Sequence, residues 1–427
     1  MKTWASKLST LLLRAGPVRA VELSKIGGAS LNLEAIMKHT VTSILCALWV
    51  FSGGAIANAQ EPIKIGVISA YSGQFADIAQ QIENGFKLYI KLHGDTVAGR
   101  KIEIIKKDSG GPNPDVAKRL AQELVVRDKV DILTGFTTSP ETFGAVSISA
   151  EAKKFMVSMN GTASTVTEKS PYIVRSSFTL PQVAEALGRW AATKGKIKRA
   201  YTMVTDFSPG IDGEQFFQKG FKEHGGEIIG SVRMPLANPD FSAFVQRAKD
   251  INPESIFVFI PGGAQPAALG KAFAERGIDP RKIKIMSSGE AVDEAALKSL
   301  GESAIGRLSA QHYDYNHQSK LNLEFVKAYD KEFGRNPDFF SVGGYDGMHI
   351  IYEALKATKG STDGEALVQV ARKLKWESPR GPVSIDPETR DIIQTVYIRR
   401  TEKVNGKIVN VDIDKVENVK DPVKANK

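Results

Sequence analysis

The sequence predicts an α/β protein of two lobes, each built on a parallel sheet covered by helices. Three observations carry this expectation. From Pro62 onward, short β-rich runs alternate with amphipathic helical stretches, the order of elements that builds a parallel sheet with helices on its faces. The alternation completes one cycle and then begins a second. The chain of 427 residues is too long for one ordinary domain but suits two, each able to bury its own core.

The first cycle opens with a strand over Ile63–Ile68, a helix over Ala76–His93, a strand over Lys101–Lys107 and a helix over Pro114–Arg127. Strands near Asp131–Thr134, Phe155–Ser158 and Tyr172–Arg175 follow, interrupted by a helix that Pro140 and Glu141 start, and six strands are expected in this sheet. The second cycle runs from a helix over Pro181–Lys194 through strands at Arg199–Val204, Glu227–Met234, Ser255–Ile260 and Lys282–Met286, with helices between them. A strand near Arg307–Gln311 precedes two long helical stretches, Asn322–Phe333 and Phe340–Ala357. The helical stretch Gly364–Lys373 and strands at Val383–Ile385 and Gln394–Arg400 close the chain, and the polar tail from Lys415 on is expected to fray.

The N-terminal region reads as a leader. Met37-Lys38-His39, the apolar run Val41–Phe51 and Ala57-Asn58-Ala59 have the order of a basic n-region, an h-region and an A-x-A site, with cleavage expected after Ala59. The apolar run has about half of the ~20 residues that a membrane-spanning helix needs. Met37 is the natural start of such a signal, so Met1 reads as a misassigned start and residues 1–36 as an extension of doubtful translation. The single cysteine, Cys46, lies inside the h-region and would leave with it. The expected mature chain is therefore free of disulfides and held by its cores alone.

Charge and motif content narrow the function. Of the formal net charge of +9, residues 1–60 hold +4 (six Lys/Arg, two Asp/Glu), leaving +5 spread among acidic residues, without the basic stripe that nucleic acid binding needs. No G-x-S-x-G elbow, phosphate-binding loop, dinucleotide fingerprint or H-E-x-x-H helix occurs. His312 and His317 stand at a spacing that fits no common metal pattern, and Asp108, after its strand, reads as a cap. No catalytic residue, cofactor or metal is expected.

In open α/β sheets, ligands bind at the carboxyl ends of strands. The loops there are Ser69–Gly73, Gly135–Pro140, Ser158–Ser164, Thr205–Gly210, Pro261–Ala264 and Ser287–Glu290. They are rich in hydroxyls, glycine-freed amides and helix N-termini, which are donors suited to a carboxylate, although Ser, Thr and Gly also serve as caps and turns at such points.

With those loops in view, the opening Ile63-Lys64-Ile65-Gly66-Val67-Ile68-Ser69-Ala70-Tyr71-Ser72-Gly73 resembles that of periplasmic solute-binding proteins of the leucine/isoleucine/valine-binding family. So do Asp206–Gly210, Phe325–Tyr329 with Gly344–Gly347, and Arg380–Pro387, in order and spacing, so that the likeness spans Pro62 to about Val409. The resemblance implies the type I periplasmic binding fold: two doubly wound parallel-sheet lobes joined by a three-crossover hinge. The crossings are expected near Ser177–Pro181, Ser309–Tyr315 and Thr358–Asp363. Lobe 1 would comprise 61–178 plus 312–359, and lobe 2 would comprise 179–311 plus 360–415.

The same likeness implies a non-enzymatic, extracytoplasmic component of an ABC importer, a monomer that closes by hinge motion on a small solute and is recognised by an inner-membrane permease. It implies that a ligand carboxylate meets Ser139, Asn160, Gly161 and Thr162 of lobe 1, that Glu290 of lobe 2 meets an ammonium group, and that Phe207 packs on the solute. Ser208-Pro209 departs from the aromatic-glycine pairing of the family. Tyr71, Phe136 and Phe207 are expected to wall the pocket with aromatic rings. A branched-chain amino acid or related amphipathic carboxylate fits this set, and an aromatic acid or an amide or urea-type solute stands as the alternative. Rival readings are a periplasmic ligand sensor, which would carry a spanning helix or signalling module, and a hydrolase, which would need an activated nucleophile or a metal.

Overall fold

The computed structural model describes residues 61–425, so the leader, its cleavage site and Cys46 lie outside the described residues. The first sheet has six strands in the order β2-β3-β1-β4-β5-β6, where β1 is Ile63–Ser69, β2 Thr96–Val97, β3 Arg100–Asp108, β4 Ile132–Gly135, β5 Phe155–Ser158 and β6 Ile173–Arg175. All pairings are parallel except β2–β3, where the two-residue edge strand turns back on its neighbour. β1 pairs on both edges and is buried along almost its whole length, hence its unbroken apolar run.

Helices cover both faces. On one side lie α1 (Ala76–His93) and, from later in the chain, α9 (Lys320–Phe333) and α10 (Phe339–Ala357); on the other lie α2 (Pro114–Val126) and α3 (Ser139–Ala152). The approach of α1 to α10 is set by glycine, because a Cβ on Gly85 would lie 1.9 Å from the Ser341 carbonyl oxygen.

The chain then enters a second, nine-stranded sheet through α4 (Leu180–Thr193). Its parallel part is β8-β7-β9-β10-β11: β7 Arg199–Thr205, β8 Glu227–Met234, β9 Ser255–Phe259, β10 Lys284–Ser288 and β11 Leu308–Gln311. α4 and α5 (Ser208–Lys222) cover one face through Leu187, Phe217 and Phe221, while α6 (Phe241–Ile251) and α7 (Gln265–Glu275) cover the other; α8 (Glu294–Leu300) follows β10. Beyond β11 the sheet turns antiparallel, with β14 (Ile392–Val404) flanked by β15 (Lys407–Val419) and by the hairpin β12 (Lys375–Ser378) and β13 (Gly381–Ile385).

Two expectations are corrected here. α11 (Gly364–Ala371) stays with the first lobe, packed on β5, β6 and α10 so closely that a Cβ on Gly364 would lie 2.0 Å from the Lys153 carbonyl oxygen. The third crossing therefore falls beyond Ala371 rather than at Thr358–Asp363, and it is a bonded seam: Trp376 Nε1, Ser378 Oγ and Arg380 Nε all donate to Asp346 of α10. The tail as far as it is described, to residue 425, is ordered too. Its residues to Val419 form β15, and buried Lys424 donates to Thr167 Oγ1 and Asp391 at 2.7 Å each, binding the chain end back onto the first lobe.

Candidate ligand cleft

The carboxyl ends of β4, β5, β7, β9 and β10 converge on a narrow cavity of about 40 Å³ between the lobes. From lobe 1 it is lined by Phe75, Ile78, Thr137, Thr138, Ser139, Asn160, Thr162 and Phe340, and from lobe 2 by Phe207, Pro209, Phe259, Pro261, Gly262 and Glu290. The lobes meet around it. A Cβ on Gly263 would lie 2.4 Å from the Gln74 carbonyl oxygen across the cleft, and the Ser164 amide donates to Asp212 Oδ2 at 3.1 Å.

The lobe 1 wall is a row of hydroxyls on a braced backbone. Gly135 and Phe136 both take left-handed conformations, φ 100° and 69°, in a turn at the end of β4. It places the Phe136 ring wholly in the core with Ile68, Leu133 and Met156 and leaves Thr137–Ser139 on the cavity. Glu141 in the first turn of α3 then accepts from the Thr138 amide at 2.6 Å and from its hydroxyl at 2.8 Å. Burial pushes the Glu141 carboxyl up to about 7. The Asn160 side chain donates to the Thr137 carbonyl at 2.6 Å. Ser139 Oγ accepts from the Ala163 amide at 2.9 Å, which leaves its own proton free to donate into the cavity. Beneath the second loop, fully buried Arg175 donates to the carbonyls of Gly161 and Ala163 and pairs with Asp391 at 2.9 Å.

The lobe 2 wall is apolar with one acid. Phe207 and Phe259 stack with ring centroids 5.9 Å apart, and Phe340 closes the far side. Glu290, only 5 % exposed, carries an oxygen, Oε2, with no hydrogen-bond partner among the described residues, and burial raises its carboxyl to about 7. One end of the cavity can therefore bind an anionic group through hydroxyls and the α3 N-terminus, while the other presents an acceptor to a donor on the solute.

Residues 62–407 match the model of the periplasmic binding protein family. The chain belongs to that family. The curated relative Leu/Ile/Val-binding protein homolog 6 of Brucella melitensis biotype 1 is 39% identical over 382 residues, spanning 88% of this chain and 97% of the relative. Among solved structures, a solute-binding protein of an ABC transporter from Rhodopseudomonas palustris BisB5, in complex with 3,4-dihydroxybenzoic acid, is 49% identical with a TM-score of 0.82, covering 85% of this chain and 99% of that one. Another from R. palustris, in complex with 4-hydroxybenzoate, is 39% identical with a TM-score of 0.83, covering 86% and 100%. This periplasmic binding protein is thus the solute-binding component of an ABC transporter. Among its described residues no helix is long and apolar enough to cross a membrane.

Of the residues singled out from sequence, Ser139, Asn160, Thr162, Phe207 and Glu290 line the cavity of this periplasmic binding protein, and Tyr71, Phe136 and Gly161 do not. Phe136 belongs to the core. Tyr71 packs on the outer part of lobe 1, with Lys106 Nζ 5.0 Å from its ring centroid and its hydroxyl pushed up by burial beside Glu83. Gly161 lies against Thr142, where a Cβ would sit 2.3 Å from the hydroxyl oxygen. Asp108 caps a turn, accepting from the Gly110 amide at 2.8 Å. His312 is buried at the hinge, 4.9 Å from the Phe178 ring, and burial holds it well below the usual histidine range. Sequence reasoning missed the phenylalanines at positions 75, 259 and 340. Phe259 ends a strand and was findable by position, whereas Phe340 arrives from 180 residues beyond Asn160 with no local signal.

Proposed function

We propose that this periplasmic binding protein captures a small aromatic carboxylate of the hydroxybenzoate class. The observation that carries the reading is Glu290, a buried acid with an oxygen unpartnered among the described residues, lining a cavity that also holds the Thr137–Ser139 hydroxyl row and is walled by Phe75, Phe207, Phe259 and Phe340. In this arrangement the solute carboxylate takes the Ser139 and Thr162 hydroxyls and the N-terminus of α3, the ring lies among the phenylalanines, and a ring hydroxyl donates to Glu290 Oε2. The ligands of the two R. palustris proteins support the same class. A branched-chain amino acid is the second reading, favoured by the same Glu290 as partner of an ammonium group and by the name of the Brucella relative.

The rest of the proposal follows from the leader and the family. The chain is exported to the periplasm with cleavage after Ala59, acts as a monomer, hands its solute to an inner-membrane permease, and releases it chemically unchanged.

Calorimetric titration of the purified protein with 4-hydroxybenzoate, benzoate, leucine and urea tests the ligand class. Tighter binding of 4-hydroxybenzoate than of benzoate is expected, because only the former satisfies Glu290. Binding of leucine with no response to either aromatic acid would overturn the reading in favour of the second. Recovery of the bound solute unaltered by mass spectrometry is the expected result against turnover.

A further inference from the structure

The pole of lobe 2 opposite the cleft holds a second, larger hollow, about 410 Å³ and open to solvent. It is built at the amino ends of β10 and β11, from the end of α7, the turn at 277–281 and the segment Gly301–Arg307, whereas the cleft lies at the carboxyl end of β10 and its neighbours. Arg307 lines it although the residue is only 3 % exposed. Among the described residues its guanidinium makes no hydrogen bond and no ion pair, and its Nε is fully enclosed without a partner. Its one interaction is with an aromatic face, Cζ lying 5.8 Å from the Phe273 ring centroid. The acids that share the hollow are engaged by other cations: Asp279 by Arg281, itself on the lining, at 2.8 Å, and Glu302 by Lys403 at 2.6 Å.

An arginine buried without a counter-charge is costly, and buried charges are paired as a rule. Desolvation lowers this guanidinium to about 10, which leaves it charged at neutral pH. The planar fork of a guanidinium matches a carboxylate through two parallel N–H···O bonds, and an aromatic ring against one of its faces leaves that donor edge free. Beside it Ile278, Pro280 and Ile305 form an apolar shelf. A hard, strongly hydrated oxyanion would gain nothing from such a shelf, whereas a carboxylate on a small apolar body would bury that body there.

We propose that Arg307, backed by Phe273, and the shelf of Ile278, Pro280 and Ile305 form a second binding site, for a small organic carboxylate, at the pole of lobe 2 remote from the interlobe cleft.

Benzoate, acetate and sulfate serve as probes on the full protein, at ionic strength held constant with chloride. In the absence of probe, Arg307→Met is expected to raise the melting temperature by removing an unpaired buried charge. A marked fall would mean that the guanidinium is already partnered, and would overturn the proposal. Benzoate should stabilise the wild type more than R307M, since any cleft binding is common to both; equal stabilisation of the two would overturn the site. Independently of how R307M folds, the Arg307 Nε–Hε cross-peak, assigned by its absence in R307K, should shift saturably with benzoate and less with acetate. A peak that stays still with benzoate, or that moves only with sulfate, would overturn the assignment to an organic carboxylate.

Discussion

The two walls of the cleft are built on opposite principles. On the lobe 1 side the polar groups of the loops are tied to one another: Thr138 to Glu141, Asn160 to Thr137, Ser139 to Ala163, with Arg175 beneath. On the lobe 2 side there are stacked rings and a single carboxyl whose Oε2 has no partner among the described residues. The first wall is a cradle whose geometry is set before any solute arrives, so that the cost of ordering donors has already been met by folding. The second supplies apolar area and one unsatisfied acceptor, so its contribution is realised when a solute and lobe closure complete it. Away from the cleft the chain end ties the lobes together, where Lys424 bridges Asp391 and Thr167.

Arg175 offers the hardest test of the comparison. Arg175→Ala removes the guanidinium beneath the 161–163 loop and leaves Asp391 a buried partner short, at an expected cost of about 3–5 kcal/mol in urea denaturation. Preserved stability would mean that the first wall is not braced from below. Next come the hydroxyls. Ser139→Ala and Thr162→Ala should each weaken 4-hydroxybenzoate by about 1–3 kcal/mol in calorimetry, and unchanged affinity in both would remove the assigned carboxylate end.

Glu141→Ala should weaken the same ligand by a smaller amount, about 1 kcal/mol, since it holds the Thr138 loop and Ser109 rather than touching the cavity itself. Rescue of affinity by Glu141→Gln, which can still accept from the Thr138 amide, would separate loop positioning from general loss of stability.

The smallest effect concerns pH. Glu290 titrates near 7 in the fold, above the ordinary carboxylate value. The unfolded chain therefore loses this proton first. The contribution of Glu290 to stability is full below the unfolded value and is lost as pH rises toward and through about 7. Glu290→Gln should flatten the decline in ligand-free stability between about pH 4.5 and 7, and at pH 8 should be the more stable protein by on the order of 1 kcal/mol. The same variant sharpens the ligand question, because a neutral amide can still accept from a phenol but cannot pair with an ammonium group. Retained 4-hydroxybenzoate binding with loss of leucine binding is the expected outcome.

Much of the architecture was legible because it is written in local periodicity and loop chemistry. The unbroken apolar run of β1 marks a central parallel strand, and the Gly135–Pro140 and Ser158–Ser164 loops announce themselves by hydroxyls at strand ends. Ser139, Asn160 and Thr162 line the cavity for that reason, and Phe207 and Glu290 by their place after β7 and β10. What failed was side-chain direction and long-range contact. Phe136 sits in the right loop, but a left-handed turn sends its ring into the core, and no composition argument sees φ. The polar tail reads as frayed, yet β15 pairs along β14 and Lys424 finds Asp391, partners whose proximity exists only after folding.

By itself the sequence determined the two-lobe α/β plan and the strand-end loops that carry the site, since both follow from patterns a few residues long. Tertiary structure alone decided which rings line the cavity, where the third crossing falls, and that Glu290 Oε2 and Arg307 Nε lack a hydrogen-bond partner among the described residues. Those outcomes depend on which distant segments arrive beside a given side chain, and a buried charge is paired or unpaired only in the company that the fold assembles around it.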